Sequence, residues 1–124
     1  MSKIKINSIV FGKETTKYEI STNGIKKDSI ITYKDDNSLV SITILDDIVS
    51  IKRENNDMIQ NLKFEKDKQH LTNYYIKDLN MDIIIKTNTN NLIISNNNIR
   101  VEYDLFMNDE FSDTFTFALE WSDL

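Results

Sequence analysis

The chain of 124 residues contains no cysteine and no proline, and its only glycines are Gly12 and Gly24. The absence of cysteine excludes a disulfide scaffold, a thiol nucleophile and a thiolate metal site. No run of apolar residues is longer than three, which is too short for the core of a secretion signal or for a membrane-spanning helix. We therefore expect a soluble, cytoplasmic protein that does not interact with a membrane.

Basic residues are outnumbered by acidic ones, with 15 Lys and Arg against 20 Asp and Glu, so that the net charge is −5. From Ile99 to Leu124 the only basic residue is Arg100, although acidic residues are frequent there. This balance argues against nucleic acid as a partner, because contact with a phosphate backbone requires clustered lysine and arginine. The length of the chain and the absence of a linker or repeat predict a single domain over residues 1–124.

What the sequence does contain is an alternation of apolar and polar residues. The clearest example is the stretch 99–107, in which the odd positions are apolar and the even positions from Arg100 to Asp104 are charged. Side chains of a strand alternate between its two faces, so this spacing buries one face and exposes the other. We expect Tyr103 and Leu105 to be buried, and Glu102 and Asp104 to be exposed.

The same alternation recurs along the whole chain and predicts an all-β protein. The predicted strands are Lys3–Phe11, Thr15–Thr22, Ile30–Tyr33, Leu39–Leu45, Ile48–Arg53, Met58–Phe64, Leu71–Ile76, Met81–Thr87, Leu92–Ser95, Ile99–Met107 and Phe111–Trp121. Asp and Asn fill the breaks between them, and these residues tolerate a left-handed backbone better than other non-glycine residues. The second hairpin has two candidate turns, at Asn23-Gly24 and at Lys27-Asp28.

Short breaks between consecutive strands predict hairpins in series, which form an antiparallel up-and-down meander. A sheet of about ten twisted strands tends to close, because an open edge promotes aggregation. A closed or nearly closed barrel is the natural solution, and a two-layer sandwich is the alternative. Periodicity does not distinguish these two architectures.

Several short motifs occur in an order and spacing that resemble the YwiB-like bacterial proteins of unknown function. They are Thr22-x-Gly24, Ile30-Ile-Thr-Tyr33, the segment 42–53 that ends in Arg53, the set Met58, Phe64, His70 and Tyr74-Tyr75, Lys86-Thr87, and Val101-x-Tyr103-x-Leu105. The resemblance covers about Lys3 to Trp121 and implies a calycin-like, or lipocalin-like, β-barrel. It implies no activity and no functional residues.

Two residues are candidates for polar contacts with a ligand. Arg53 ends a strand whose inward set includes Ile51, which places its guanidinium at the rim of the core, where it could bind a carboxylate or phosphate or pair with a structural acid. His70 is the only histidine, and it has no second histidine or nucleophile motif to accompany it. We interpret His70 mainly as a hydrogen-bonded residue at a strand end.

The aromatic residues offer a large apolar area. Phe111, Phe115, Phe117 and Trp121 share one parity on the last predicted strand, and Tyr103 precedes them. Such residues could line a ligand cavity or simply fill the barrel. The adjacent tyrosines Tyr74 and Tyr75 point to opposite faces of their strand.

The acidic residues of the last hairpin have a simpler interpretation. Glu102, Asp104, Asp109, Glu110 and Asp113 match no calcium-loop spacing, and Arg100 lies among them. We expect them to form a solvated outer face rather than a metal site.

Two classes of function follow from these residues. In the first, the barrel binds a small apolar or amphipathic ligand, neutral or anionic, through Arg53, His70, Tyr75, Tyr103 and Trp121. In the second, the chain is an interaction module that uses a sheet face or a homodimer contact and binds no ligand. An enzyme is not expected, since no nucleophile is paired with a base, and no cofactor is expected.

Overall fold

A computed structural model describes residues 1–124 and contains ten strands and no helix. The strands are β1 (Ser2–Gly12), β2 (Tyr18–Lys27), β3 (Ile30–Asp35), β4 (Ser38–Leu45), β5 (Ile48–Glu54), β6 (Met58–Glu65), β7 (Gln69–Ile76), β8 (Met81–Ser95), β9 (Asn98–Met107) and β10 (Glu110–Asp123). There is accordingly no helix that is long and apolar enough to cross a membrane.

Each strand pairs antiparallel with the next one along the chain, and β1 also pairs with β10. The closing pair spans nine positions, and Ile6 lies opposite Trp121 in it. The predicted all-β, up-and-down architecture is confirmed, and the closed ring of ten strands rules out the sandwich.

Asp and Asn residues make the turns, as the sequence predicted. All eight residues with a positive φ are Asp or Asn, and neither glycine is among them. In the second hairpin the turn residues are Asp28 and Ser29, so the alternative that centred this turn on Lys27-Asp28 was nearly correct. Gly24 lies inside β2 instead, where a Cβ atom would come 2.7 Å from the backbone oxygen of Thr32. This glycine is needed for close packing and not for a turn.

Two predicted strand boundaries were wrong. The segments Met81–Thr87 and Leu92–Ser95 form the single 15-residue strand β8. The asparagines between them do not turn the chain, because the register shift between Thr89 and Asn91 accommodates one extra residue as a β-bulge. Strand β2 begins at Tyr18 rather than Thr15, which leaves Lys13–Lys17 as a loop.

Up-and-down connectivity gives the barrel two unlike ends. The β1–β2, β3–β4, β5–β6, β7–β8 and β9–β10 turns lie at one end, which we call the mouth. The other turns and both termini lie at the closed end. Inward side chains pack the closed half without exposure to solvent. They include Ile4, Ile6, Ile31, Ile42, Val49, Phe64, Ile99, Val101 and Leu119.

Candidate functional site

The half of the barrel near the mouth is not filled by side chains. It contains an open cavity of about 500 Å³, within the range of small-molecule sites. The apolar part of its wall comes from Val10, Val40, Ile51, Leu62, Leu105, Phe115 and Phe117. Some of the inward residues nearest the mouth are polar. The inward residues at this end do not close the mouth, so the interior is accessible from there.

An ion pair stands at the rim of this cavity. Arg53 Nη1 on β5 donates to Asp35 Oδ2 on β3 at 2.7 Å, and Tyr18 on β2 donates its hydroxyl to Asp35 Oδ1 at 2.6 Å. Asp35 is only 2% exposed, whereas the Arg53 side chain is 31% exposed. The hydrogen bond to Asp35 is the main cause of the raised pKa of Tyr18. Both oxygens of the buried carboxylate therefore have partners, and its charge is balanced by Arg53.

Two tyrosines face the cavity below this rim. Burial raises the pKa of Tyr33 to about 12 and places that of Tyr103 even further above the usual range. The ring of Tyr103 is held between Phe64, at a centroid distance of 4.5 Å, and Phe115, at 5.6 Å. Both phenols therefore remain protonated at neutral pH and can donate hydrogen bonds.

The β1–β2 loop covers one side of the mouth, and Asp113 holds it there. The Asp113 carboxylate accepts hydrogen bonds from the Lys13 and Glu14 backbone N–H groups and from the Thr15 hydroxyl. The Thr15 bond, followed by the backbone bonds, lowers the pKa of Asp113 against the opposing effect of burial. Thr15 and Thr16 in turn line the cavity. Asp113 is thus a structural anchor of the site.

The prediction that Asp113 belongs to an exposed acidic face was wrong. A register shift between Phe111 and Asp113 inserts one extra residue into β10. Because side chains alternate between faces, Asp113 shares the inward face of Phe115 and Phe117, and it is 3% exposed. The same shift turns Phe111 outward, where it is 58% exposed and packs edge-on against Phe106. Phe111 therefore does not share a face with Phe115, Phe117 and Trp121.

The structure brings together two of the five residues that the sequence singled out. Arg53 and Tyr103 both line the cavity, at its rim and on its wall. Leu105 also lines it but is only half-buried, in contrast to the full burial expected. Glu102 and Asp104 are half-buried on the outer face.

The other three residues lie away from the cavity. His70 is at the closed-end start of β7, where its Nε2 atom is 2.9 Å from Glu65 Oε1. Tyr75 faces outward and bonds to Asn80. Trp121 is a core residue of the closed half, opposite Ile6. None of the three contributes to the wall of the cavity.

Sequence reasoning missed Asp35 and Tyr18. A signal for Asp35 was present, because the inward set Ile31 and Tyr33 continues at the same spacing to Asp35. An inward carboxylate at a strand end requires a partner, and the inward Arg53 supplies it. Nothing in the sequence pointed to Tyr18. No group of three or more metal-ligating side chains converges anywhere in the structure.

A protein family and a solved structure match this chain. The family model described as "Domain of unknown function (DUF1934)" matches residues 4–119. No curated protein matches the chain. A solved structure described as "Crystal structure of ywiB protein from Bacillus subtilis" superposes with a TM-score of 0.68 at 13% identity. The superposition covers 98% of this chain and 90% of that one, and at this identity it demonstrates a shared fold alone.

Proposed function

This chain belongs to the family described as a domain of unknown function, DUF1934, as its resemblance to YwiB-like proteins predicted, and on that premise we propose that it is a ligand-binding protein. The ligand is a small, neutral molecule with an apolar body, and it occupies the open half of the barrel. The proposal rests on one observation, which is that side chains fill the closed half of the barrel but leave a cavity in the half near the mouth.

The shape of the interior supports binding over simple packing. Side chains such as Phe64 fill the closed half completely, whereas 19 residues surround an open volume of about 500 Å³ in the other half. Of these 19 residues, 11 are hydrophobic, which matches the usual composition of small-molecule sites. Strands β1–β6, β9 and β10 all contribute residues to the wall of this volume.

The charges at the mouth favour a neutral ligand. Arg53 alone would attract an anionic head group, but Asp35 balances its charge at 2.7 Å and Asp36 lines the same rim. An incoming carboxylate would therefore meet a rim with a net negative charge. A neutral polar group can still accept a hydrogen bond from the guanidinium N–H groups that do not bind Asp35.

Displacement of a neutral fluorophore tests this proposal. N-phenyl-naphthylamine fluoresces when it enters an apolar site, and we expect a saturable increase with the wild-type chain. Decanol should displace it at lower concentration than decanoate, because decanol lacks the negative charge. An extrinsic fluorophore is preferable to Trp121, which lies in the closed half of the barrel.

A matched pair of variants locates the binding. Val10→Trp places an indole ring inside the cavity, whereas Ile93→Trp places the same ring on the outer face, where Ile93 is exposed. Fluorophore binding should be lost in the first variant and retained in the second, with both folds checked by circular dichroism. Absence of saturable binding to the wild type, or equal binding by the two variants, would contradict the proposal.

A second candidate function rests on an exposed apolar area of the outer wall. Leu71, Lys86, Phe106 and Phe111 are cross-strand neighbours in a row over β7–β10, and Ile84 lies beside them. Leu71, Ile84 and Phe111 are more than half exposed, and the Lys86 ammonium lies 4.4 Å from the centroid of the Phe106 ring. Contiguous apolar surface of this kind favours contact with another protein.

Acidic side chains around this outer patch specify the chemistry of such a partner. Asp82, Asp104, Asp109 and Glu110 lie near it on the same strands and their turn, against the single Lys86. Two copies placed face to face would bring these carboxylates together, so a basic apolar segment of another protein fits better than a homodimer. A synthetic Leu-rich peptide flanked by lysine should shift the amide NMR signals of these residues, and a glutamate-flanked control peptide should not.

A further inference from the structure

One hydroxyl group in the cavity has no partner within the protein. Of the three tyrosines that line the cavity, Tyr18 donates to Asp35 and Tyr33 is hydrogen-bonded to Ser8, whereas no side chain or carbonyl bonds to Tyr103. The Tyr103 side chain is 5% exposed. A ligand that fills the cavity would cut this hydroxyl off from water, and a hydroxyl left there without a hydrogen bond is destabilising.

The cavity is the direction from which a partner can reach this hydroxyl. Thr89, directly opposite Tyr103 in the β8–β9 pair, carries the only side-chain oxygen that is both sealed from solvent and unpaired. The Tyr103 hydroxyl is not sealed in this way, and Tyr103 lines the cavity wall. Packing against Phe64 and Phe115 fixes the ring, so the direction of the hydroxyl is set before any ligand enters.

Tyr103 lies deep in the cavity rather than at its mouth. Going inward along β9, Met107 and Leu105 precede Tyr103, and Val101 of the packed closed half follows it. Its pKa lies well above the usual range because of burial, so the group is a donor at every physiological pH. A ligand that satisfies it must carry an acceptor atom at its inner end.

We propose, building on the ligand-binding function above, that the ligand is a neutral carbonyl compound that enters with its carbonyl oxygen toward Tyr103. The apolar body of the molecule then lies between the ring of Phe115 and the aliphatic side chains of Leu62 and Ile51 on the facing strands. Arg53 at the mouth remains available for a second acceptor at the outer end. This orientation is the reverse of that of a fatty alcohol, whose polar group would stay at the mouth.

Benzophenone and diphenylmethane form a matched pair of probes for this inference. They share a skeleton and differ only in that a carbonyl group replaces a methylene group. We expect benzophenone to bind the wild-type chain about tenfold more tightly, which is the worth of one buried hydrogen bond. In Tyr103→Phe, which keeps the ring packing, the preference for benzophenone should be lost, because its carbonyl group has no donor there and diphenylmethane no longer leaves a hydroxyl unpaired.

The infrared carbonyl stretch of bound benzophenone gives an independent readout. A hydrogen bond from Tyr103 lowers this frequency, so the bound probe should absorb lower in the wild type than in Tyr103→Phe. If the variant does not fold, the carbonyl frequency of benzophenone bound to the wild type still tests the inference. Equal affinities of both probes for the wild type, or an unshifted stretch, would overturn the inference and leave ligand binding intact. Failure of both probes and of the fluorophore to bind would overturn the proposed function itself.

Discussion

Gly12 lies so close to Asp113 that a side chain at position 12 cannot fit. A Cβ atom there would be 2.8 Å from Asp113 Cγ and closer still to Oδ2. The carboxylate cannot move aside easily, because it is bound to the Lys13 and Glu14 backbone and to the Thr15 hydroxyl. The last residue of β1 and an inward residue of β10 thus hold the loop at the mouth in place together.

We predict that Gly12→Ala lowers the free energy of unfolding by about 1–3 kcal/mol, the usual cost of overpacking. Glycine replacement alone would have a small opposite effect through the unfolded chain. Asn23→Ala, on the exposed face of β2, is the control and should change stability by less than about 0.5 kcal/mol. Urea denaturation measures the stability of both variants. An unchanged unfolding midpoint for Gly12→Ala would show that the Asp113 side chain can move away from the added methyl group.

The Asp113 carboxylate should stabilise the protein in a pH-dependent manner. Its folded-state pKa lies below the ordinary value of 3.8, chiefly because of the Thr15 hydrogen bond. A lowered folded pKa means that the contribution is complete above the unfolded pKa and is lost as the pH falls through the folded pKa. Asp113→Asn should therefore be less stable than the wild type at pH 7, and the difference should shrink below about pH 3.8. A difference that stays constant down to acid pH would argue against a role of the charge.

Removal of Arg53 should be costly because it leaves Asp35 buried without its countercharge. We expect Arg53→Ala to lower the free energy of unfolding by about 1–3 kcal/mol, less than for a fully buried pair because Arg53 is partly solvated. Arg100→Ala is the matched control, since Arg100 is half exposed and its nearest carboxylate, in Glu102, is 3.9 Å away. That exposed pair should contribute less than about 1 kcal/mol. Equal losses in the two variants would mean that Asp35 is solvated after Arg53 is removed.

The two halves of the barrel should respond differently to the same truncation. Leu119→Ala acts in the packed half, where Leu119 is 1% exposed, and should cost about 2–5 kcal/mol. Leu105→Ala only enlarges a cavity that already exists, so we expect about 1–2 kcal/mol, mainly from lost contacts. Chemical denaturation of both variants provides the comparison. A greater cost at Leu105 would show that the mouth half is as tightly packed as the other.

The strands and the turns between them follow from local features of the sequence. The period-two pattern of residues 99–107 sets the faces of β9, where Ile99, Val101 and Tyr103 are buried. Turn positions followed because Asp and Asn adopt the left-handed backbone at little cost, and every residue with a positive φ is one of these two types. Closure into a barrel was the favoured expectation because open edges promote aggregation, but the alternation by itself left a two-layer sandwich possible.

The bulges and the site were decided only by the tertiary structure. An extra residue in β10 turns Phe111 outward, and its position depends on pairing with β9 and not on any local preference. The unequal filling of the two halves depends on the summed volumes of side chains from ten strands. The meeting of Tyr18, Asp35 and Arg53 likewise requires β2 to pair with β3 and β5 to lie one strand further on, beyond β4. Alternation assigns a side chain to the inside or the outside of a strand, but only the register of the complete barrel determines which inward side chains face one another.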